Sequence, residues 1–241
     1  MIRQTAQSIA QPIAKPIARQ IELLRPDQIE ATLAIRSLIY LPLGTIEWHC
    51  YHLPVGLDAL TAQELCLRAA DRTGGLVWPV LYYGTGGGHG QFPWTVMMPS
   101  VTEIETILTF TLRRLSDLGV AEVVLFSGHF ADEQLGLIDR IAVVWNAQGQ
   151  GPLVRALSVN RADILGFPPD HAGLFETTLL QGIDPGLVKT DRLGAAADDI
   201  DRFDPRSALW GIVGADPRLT PALSPEALIL ALTEWLATNV G

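Results

Sequence analysis

Apolar and polar positions along the chain fall into order from residue 38 onward. "LIYLPLG" (38–44) is a short apolar run ending in Gly, the pattern of a buried strand. "DALTAQELCLRAADRTG" (58–74) places apolar residues at helical spacing and ends on a glycine, which predicts a helix and its stop. "LVWPVLYYG" (76–84) is a second strand candidate, and its internal Pro79 assigns it to an edge or an irregularity. "VTEIETILTFTLRRLSDLG" (101–119) reads as an amphipathic helix with Thr102 as cap and Gly119 as stop. "AEVVLFSGH" (121–129) is the clearest buried strand, followed by a helix over "DEQLGLIDRIAVVWNAQ" (132–148). "PLVRALSV" (152–159) predicts one more strand and "PEALILALTEWLATNV" (225–240) a closing helix.

Strands alternating with helices of this length need crossover connections, so the fold class is α/β: three layers, a mainly parallel sheet with helices on both faces. One domain over residues 31–241 accounts for the pattern, with "DRLGAAADDIDRFDPRSALWGIVGADPRLT" (191–220) as long loops. Residues 1–30 carry the repeated theme "IAQP", "IAKP", "IARQ" and prolines at 12 and 16, which predict an irregular arm. That arm either lies on a neighbouring subunit or is a frayed tail.

Composition narrows the classes. Of 241 residues, 48% are hydrophobic and 18% charged, a globular balance. The net charge, 17 − 26 = −9, argues against a nucleic-acid surface. No apolar run reaches the roughly 20 residues of a membrane span, and the amino terminus lacks a secretion-signal pattern. Two cysteines, Cys50 and Cys66, make no disulfide framework, so a cytoplasmic setting is the expectation.

The chemistry sits at the predicted strand ends, where ligands bind in parallel α/β sheets. Glu47 and His49 are two apart and leave an extended chain on one side. Asp58 arrives from the loop before the next helix, and His129 follows the strand "VVLFSG". His171 precedes a further helix that holds Glu176 in its first turn. His52 and His89, the remaining histidines, also fall in loops. Taken singly, Asp58 reads as a helix cap and Glu176 as a first-turn carboxylate. Together they are a mixed His and carboxylate set suited to divalent zinc, manganese or iron. With Asp58 bridging, the set fits two ions that activate a water.

"LPLGTIEWHCYHLPVGLDA" (41–59) resembles the opening motif of the creatininase family of metal-dependent amidohydrolases. "YGTGGGHGQFPWT" (83–95), "VVLFSGHFAD" (123–132), "DHAGLFETTLL" (170–180) and "GIVGADPRLT" (211–220) are similar to later family motifs in the same order, over roughly residues 38 to 240. The resemblance implies a doubly wound α/β fold, a dinuclear metal centre, a small-molecule substrate and a homo-oligomer, often a hexamer. It implies that Glu47, Asp58 and His129 hold one ion, and His49 and Asp58 the other. His171 matches the proton-shuttling histidine, and Glu176 joins both the metal and the catalytic sets. The implied chemistry is hydrolysis of C–N amide bonds in small cyclic or formyl-bearing molecules, with one branch cleaving a peptide end.

Four departures stand out. Ala131 occupies the place of a glutamate that ligates the second ion in creatininase; either the second ion is lost here or its coordination passes to Glu176. Cys50 replaces a glycine, either as a small pocket residue or as a soft ligand. Ser127 replaces an asparagine, and Trp94 a glycine, which would narrow or cap the cavity. His89 and Trp94 then line the substrate pocket and His52 orients the Glu47–His49 segment. Activity on creatinine itself is not expected. The competing reading is a degenerate homologue that binds a ligand or assembles partners without turnover. A phosphate-cradling loop at "GTGGGH" finds little support, because His89 stands in place of the last glycine of G-x-G-x-x-G and no G-K-[ST] follows.

Overall fold

The structure is a computed structural model describing residues 19–163, 167–194 and 201–240. Its elements run α1 (Pro26–Ile35), β1 (Leu38–Leu43), α2 (Leu57–Thr73), β2 (Leu76–Val77), β3 (Gly84–Thr85), β4 (Met97–Met98), α3 (Val101–Asp117), β5 (Glu122–Ser127), α4 (Asp132–Ala147), β6 (Leu153–Ser158), α5 (Leu174–Ile183) and α6 (Pro225–Thr238). The main sheet has the order β2-β1-β5-β6, and every pairing is parallel.

Alternation along the strands sorts the core into two halves. Leu38, Tyr40, Val124 and Phe126 face α2, α5 and α6. Ile39, Leu41, Val123 and Leu125 face α3 and α4. The central strands β1 and β5 are therefore buried on both sides, as a sheet covered by crossover helices requires. This is the expected three-layer α/β arrangement.

Several boundaries differ from expectation. α1 overlaps the arm assigned to residues 1–30; it opens with Pro26 and with the Arg25 N–H bonded to Gln28 Oε1 at 3.0 Å, but buries no residue. Residues 1–18 lie outside the described ones. Ser100, not Thr102, caps α3, accepting the Thr102 N–H at 3.2 Å. β2 is two residues long, at the sheet edge that Pro79 predicted. Asp58 lies inside the first turn of α2, not in the loop before it.

Topology gives the site its address. β1 leads through α2 to β2 on one side, while β5 leads through α4 to β6 on the other. The strand order thus reverses between β1 and β5, and the crevice beyond their carboxyl ends is the switch point where ligands bind in such sheets.

Candidate metal centre

Two glycines bring the site together. Leu43 pairs with Ser127, so Gly44 and Gly128 stand side by side, and the Gly128 N–H bonds the Leu43 carbonyl at 2.8 Å. A Cβ on Gly44 would collide with the Ala59 backbone, and one on Gly128 with the Asp58 carbonyl. Only glycine lets the start of α2 settle onto both strand ends. That descent puts Asp58 between the segment after β1, which carries Glu47 and His49, and His129 after β5.

Seven functional groups converge there. Asp58 Oδ1 lies 3.2 Å from His49 Nε2, and its Oδ2 lies 3.2 Å from His129 Nδ1. Glu47 Oε2 is 3.1 Å from His129 Nδ1, and Glu176 Oε2 is 3.4 Å from His49 Nε2. Glu47 Oε1 lies 3.1 Å from His89 Nδ1 and 3.9 Å from His171 Nδ1. Donor atoms of Glu47, Asp58 and His129 fall within 4.8 Å of one another, and so do those of His49, Asp58 and Glu176. Asp58 belongs to both groups.

Whether cations fit is decided by unmet polar atoms. Glu47 Oε2, Asp58 Oδ2 and His49 Nε2 are fully buried and make no hydrogen bond, close though they are to one another. Buried polar groups without partners are rare and costly. Three such atoms aimed at a common space match donors awaiting divalent ions. The His49 ring is preset for this: Nδ1 lies 3.0 Å from the Glu47 carbonyl, which can only accept, so Nδ1 carries a hydrogen and Nε2 is the nitrogen that an ion would take by displacing its proton.

Burial and charge work against each other in the ion-free chain. Burial disfavours charge on His129, yet Asp58 and Glu47 outweigh it and hold its pKa up at about 10. His49 is likewise raised well above the usual histidine range by Asp58 and Glu176, against burial. Burial raises carboxylates, but the neighbouring histidines keep Glu47 and Asp58 below the ordinary range. At Glu176 burial wins and lifts the pKa to about 7. His171 goes the other way, pushed to about 3 by burial and by His49.

Surrounding groups hold the set. Ser127 Oγ donates to the His129 carbonyl and accepts from Gln134 Nε2 at 2.8 Å, while Gln134 Oε1 accepts the Thr85 N–H at 3.1 Å. His52 Nε2 pairs with Thr177 Oγ1 at 2.9 Å, bracing the helix that bears Glu176. His89 binds the Gly211 carbonyl at 3.1 Å and stacks on His171 with centroids 3.8 Å apart. A cavity of about 190 Å³ opens over the centre, and His89, His129 and His171 share its lining with Phe130, Ala131 and Val213.

Two expectations place residues where the structure does not. Trp94 is 78% exposed, with a left-handed backbone (φ 60°), and is not part of the cavity wall. Cys50 is buried in an apolar cluster with Leu53, Leu57 and Ala172, away from the cavity; burial raises its thiol pKa. Sequence reasoning also missed two residues. Gln134 was hidden on the helical face of α4. Asp170 adjoins a histidine that drew attention instead; its oxygens accept the Phe175 and Glu176 N–H groups at 2.9 and 3.2 Å.

A doubly wound α/β chain with a buried cluster of histidines and carboxylates at its switch point belongs to the class of metal-binding enzymes. The family model described as "Creatininase: Creatinine amidohydrolase" matches residues 22–238, and the chain belongs to the creatininase family of amidohydrolases. Creatinine amidohydrolase of Pseudomonas putida is 28% identical over 208 residues, 77% of this chain and 76% of that protein. A mycofactocin precursor peptide peptidase of Mycobacterium ulcerans (strain Agy99) is 28% identical over 191 residues, 74% and 72% of the two chains. A crystal structure of creatinine amidohydrolase superposes with a TM-score of 0.75 at 26% identity, covering 93% of this chain and 97% of that one.

Proposed function

We propose that this chain hydrolyses a C–N amide bond in a small molecule, a cyclic amide or formamide, using two divalent ions. The observation that carries the reading is Asp58, whose Oδ1 faces His49 and whose Oδ2 faces His129. Glu47, Asp58 and His129 would hold one ion, and His49, Asp58 and Glu176 the other. Imidazole and carboxylate donors suit zinc, manganese or iron. Such ions, when bound, acidify a water toward neutrality and polarise a carbonyl oxygen.

The chain's own groups then handle the proton and the substrate. His171 Nε2 lies 2.8 Å from the Trp48 carbonyl, so Nε2 carries the hydrogen and Nδ1 is the basic nitrogen. Without bound ions, burial and His49 hold the ring neutral at pH 7; its Nδ1, 3.9 Å from Glu47 Oε1, is the nitrogen placed to relay a proton to the leaving nitrogen. His89, stacked against it and bonded to Gly211, fixes the tilt of that ring. Phe130, Ala131 and Val213 offer apolar surface to the part of the substrate that does not react. A cavity of about 190 Å³ lies below the roughly 300 Å³ at which drug-sized sites begin, which favours a compact substrate.

The test is a panel of lactams, cyclic amides, formamides and a short peptide, offered to purified protein loaded with zinc or manganese. Amine release from at least one of them, lost in His171→Ala, is the expected result. Metal-loaded protein inert toward the whole panel contradicts the proposal.

A further inference from the structure

We infer that Asp170 is the positioning residue for the Glu176 side of the centre, acting through the first turn of α5. The inference rests on the two-ion reading above. Asp170 is buried, and each of its oxygens takes a different backbone N–H: Oδ2 that of Phe175 at 2.9 Å, Oδ1 that of Glu176 itself at 3.2 Å. The Glu176 carboxylate in turn curls back to accept the Ala172 N–H at 2.6 Å, which leaves its Oε2 near His49. One side chain thus fixes the backbone from which Glu176 projects, and it directly precedes His171.

Its surroundings are built to hold it still. A Cβ on Gly173 would strike the Asp170 carboxylate, and one on Gly214 would strike its Cβ, so both glycines are needed for the close fit. The 213–215 strip that presses on Asp170 also pairs with His171 through Val213 at 2.9 Å and takes the Leu174 N–H on Ala215 at 3.0 Å. Asp170 therefore sits at the junction of the strip with His171 and the start of α5. A plain helix cap needs one acceptor; Asp170 uses both, and one of them is spent on the ligand's own N–H.

That difference separates positioning from capping. Asp170→Asn keeps the shape but sets an amide donor against a backbone N–H. Asp170→Ser replaces the carboxylate with a hydroxyl one bond shorter, withdrawing both acceptors from the Phe175 and Glu176 N–H groups. Zinc titrated calorimetrically into chelator-stripped, full-length protein should give two equivalents in the wild type. In both Asp170 variants one equivalent should stay within about twofold and the other weaken by about 10- to 100-fold, the usual effect of losing a group that orients a ligand. Ser224→Ala, which removes the cap from α6, where Ser224 accepts the Ala227 N–H at 3.2 Å, should lower Tm and leave both equivalents intact. Wild-type zinc binding in both Asp170 variants, equal weakening in Ser224→Ala, or failure of both Asp170 variants to fold would assign Asp170 to the fold and overturn the inference. A wild-type chain that takes up no zinc is a separate outcome, and it removes the two-ion reading together with this one.

Discussion

His171 donates its Nε2 hydrogen to the carbonyl of Trp48 at 2.8 Å, a bond that ties the ring to the segment bearing Glu47 and His49 and leaves Nδ1 facing the site. His171 stands outside both groups that share Asp58, although its ring forms a third close group with Glu47 and His49, so removing that ring should spare the ions that Asp58 helps to hold. His171→Ala is expected to lose about 100- to 10,000-fold in turnover, the usual reach of a positioned acid–base group. Elemental analysis of the same preparation should find its metal unchanged. Full activity in this variant would strike His171 from the mechanism.

Metal uptake should depend on pH. In the ion-free chain His49 and His129 are held protonated by neighbouring carboxylates, with His129 raised from 6.5 to about 10. An incoming ion must displace those protons, so affinity rises with pH and protons are released at pH 7. Titration calorimetry in two buffers of different ionisation enthalpy measures that release. For the ion-free fold the sign is opposite: a raised histidine pKa stabilises fully below about 6.5 and is lost as pH climbs through about 10. An affinity that falls between pH 6 and 8 contradicts this account.

Gly128→Ala tests how the strand ends meet α2. Its Cβ would collide with the Asp58 carbonyl, which is backbone and cannot swing aside. Overpacking of this kind costs about 1–3 kcal/mol or more. For a chain of this size that corresponds to roughly 2–4 °C of Tm per kcal/mol. Metal content should fall as well, because Asp58 moves. A variant with wild-type Tm and metal would show that the contact is not limiting.

Cys50→Ala should keep its full metal complement, since the thiol packs among apolar side chains outside the cavity. Cobalt-substituted protein offers a sensitive check: an intense thiolate-to-metal band that vanishes in the variant would return Cys50 to the ligand set.

The elements with strong periodicity were legible from the sequence. β1 and the Val123–Phe126 stretch of β5 are apolar because both faces are buried, and α2 to α4 and α6 show clear helical spacing. α1 was not legible, because it buries nothing and so writes no apolar stripe. The β3–β4 pair is two residues long on each side, too short for any pattern. At the site, the residue types and strand-end positions were readable for Glu47, His49, Asp58, His129, His171 and Glu176. Roles that depend on distant backbone were not. His89 lines the cavity as expected, but the engagement of its ring nitrogens by Glu47 and by the carbonyl of Gly211, 122 positions away, could not be read from its neighbours in sequence. Nor does the FPWT segment reveal in sequence that Trp94 lies on the surface, outside the cavity wall.

Metal stoichiometry tests the central claim most directly. Protein purified without chelator and analysed by plasma mass spectrometry should carry close to two divalent ions per chain, falling in Glu47→Ala and His129→Ala. Folded wild-type protein free of zinc, manganese and iron, and unable to take them up on dialysis, would contradict it.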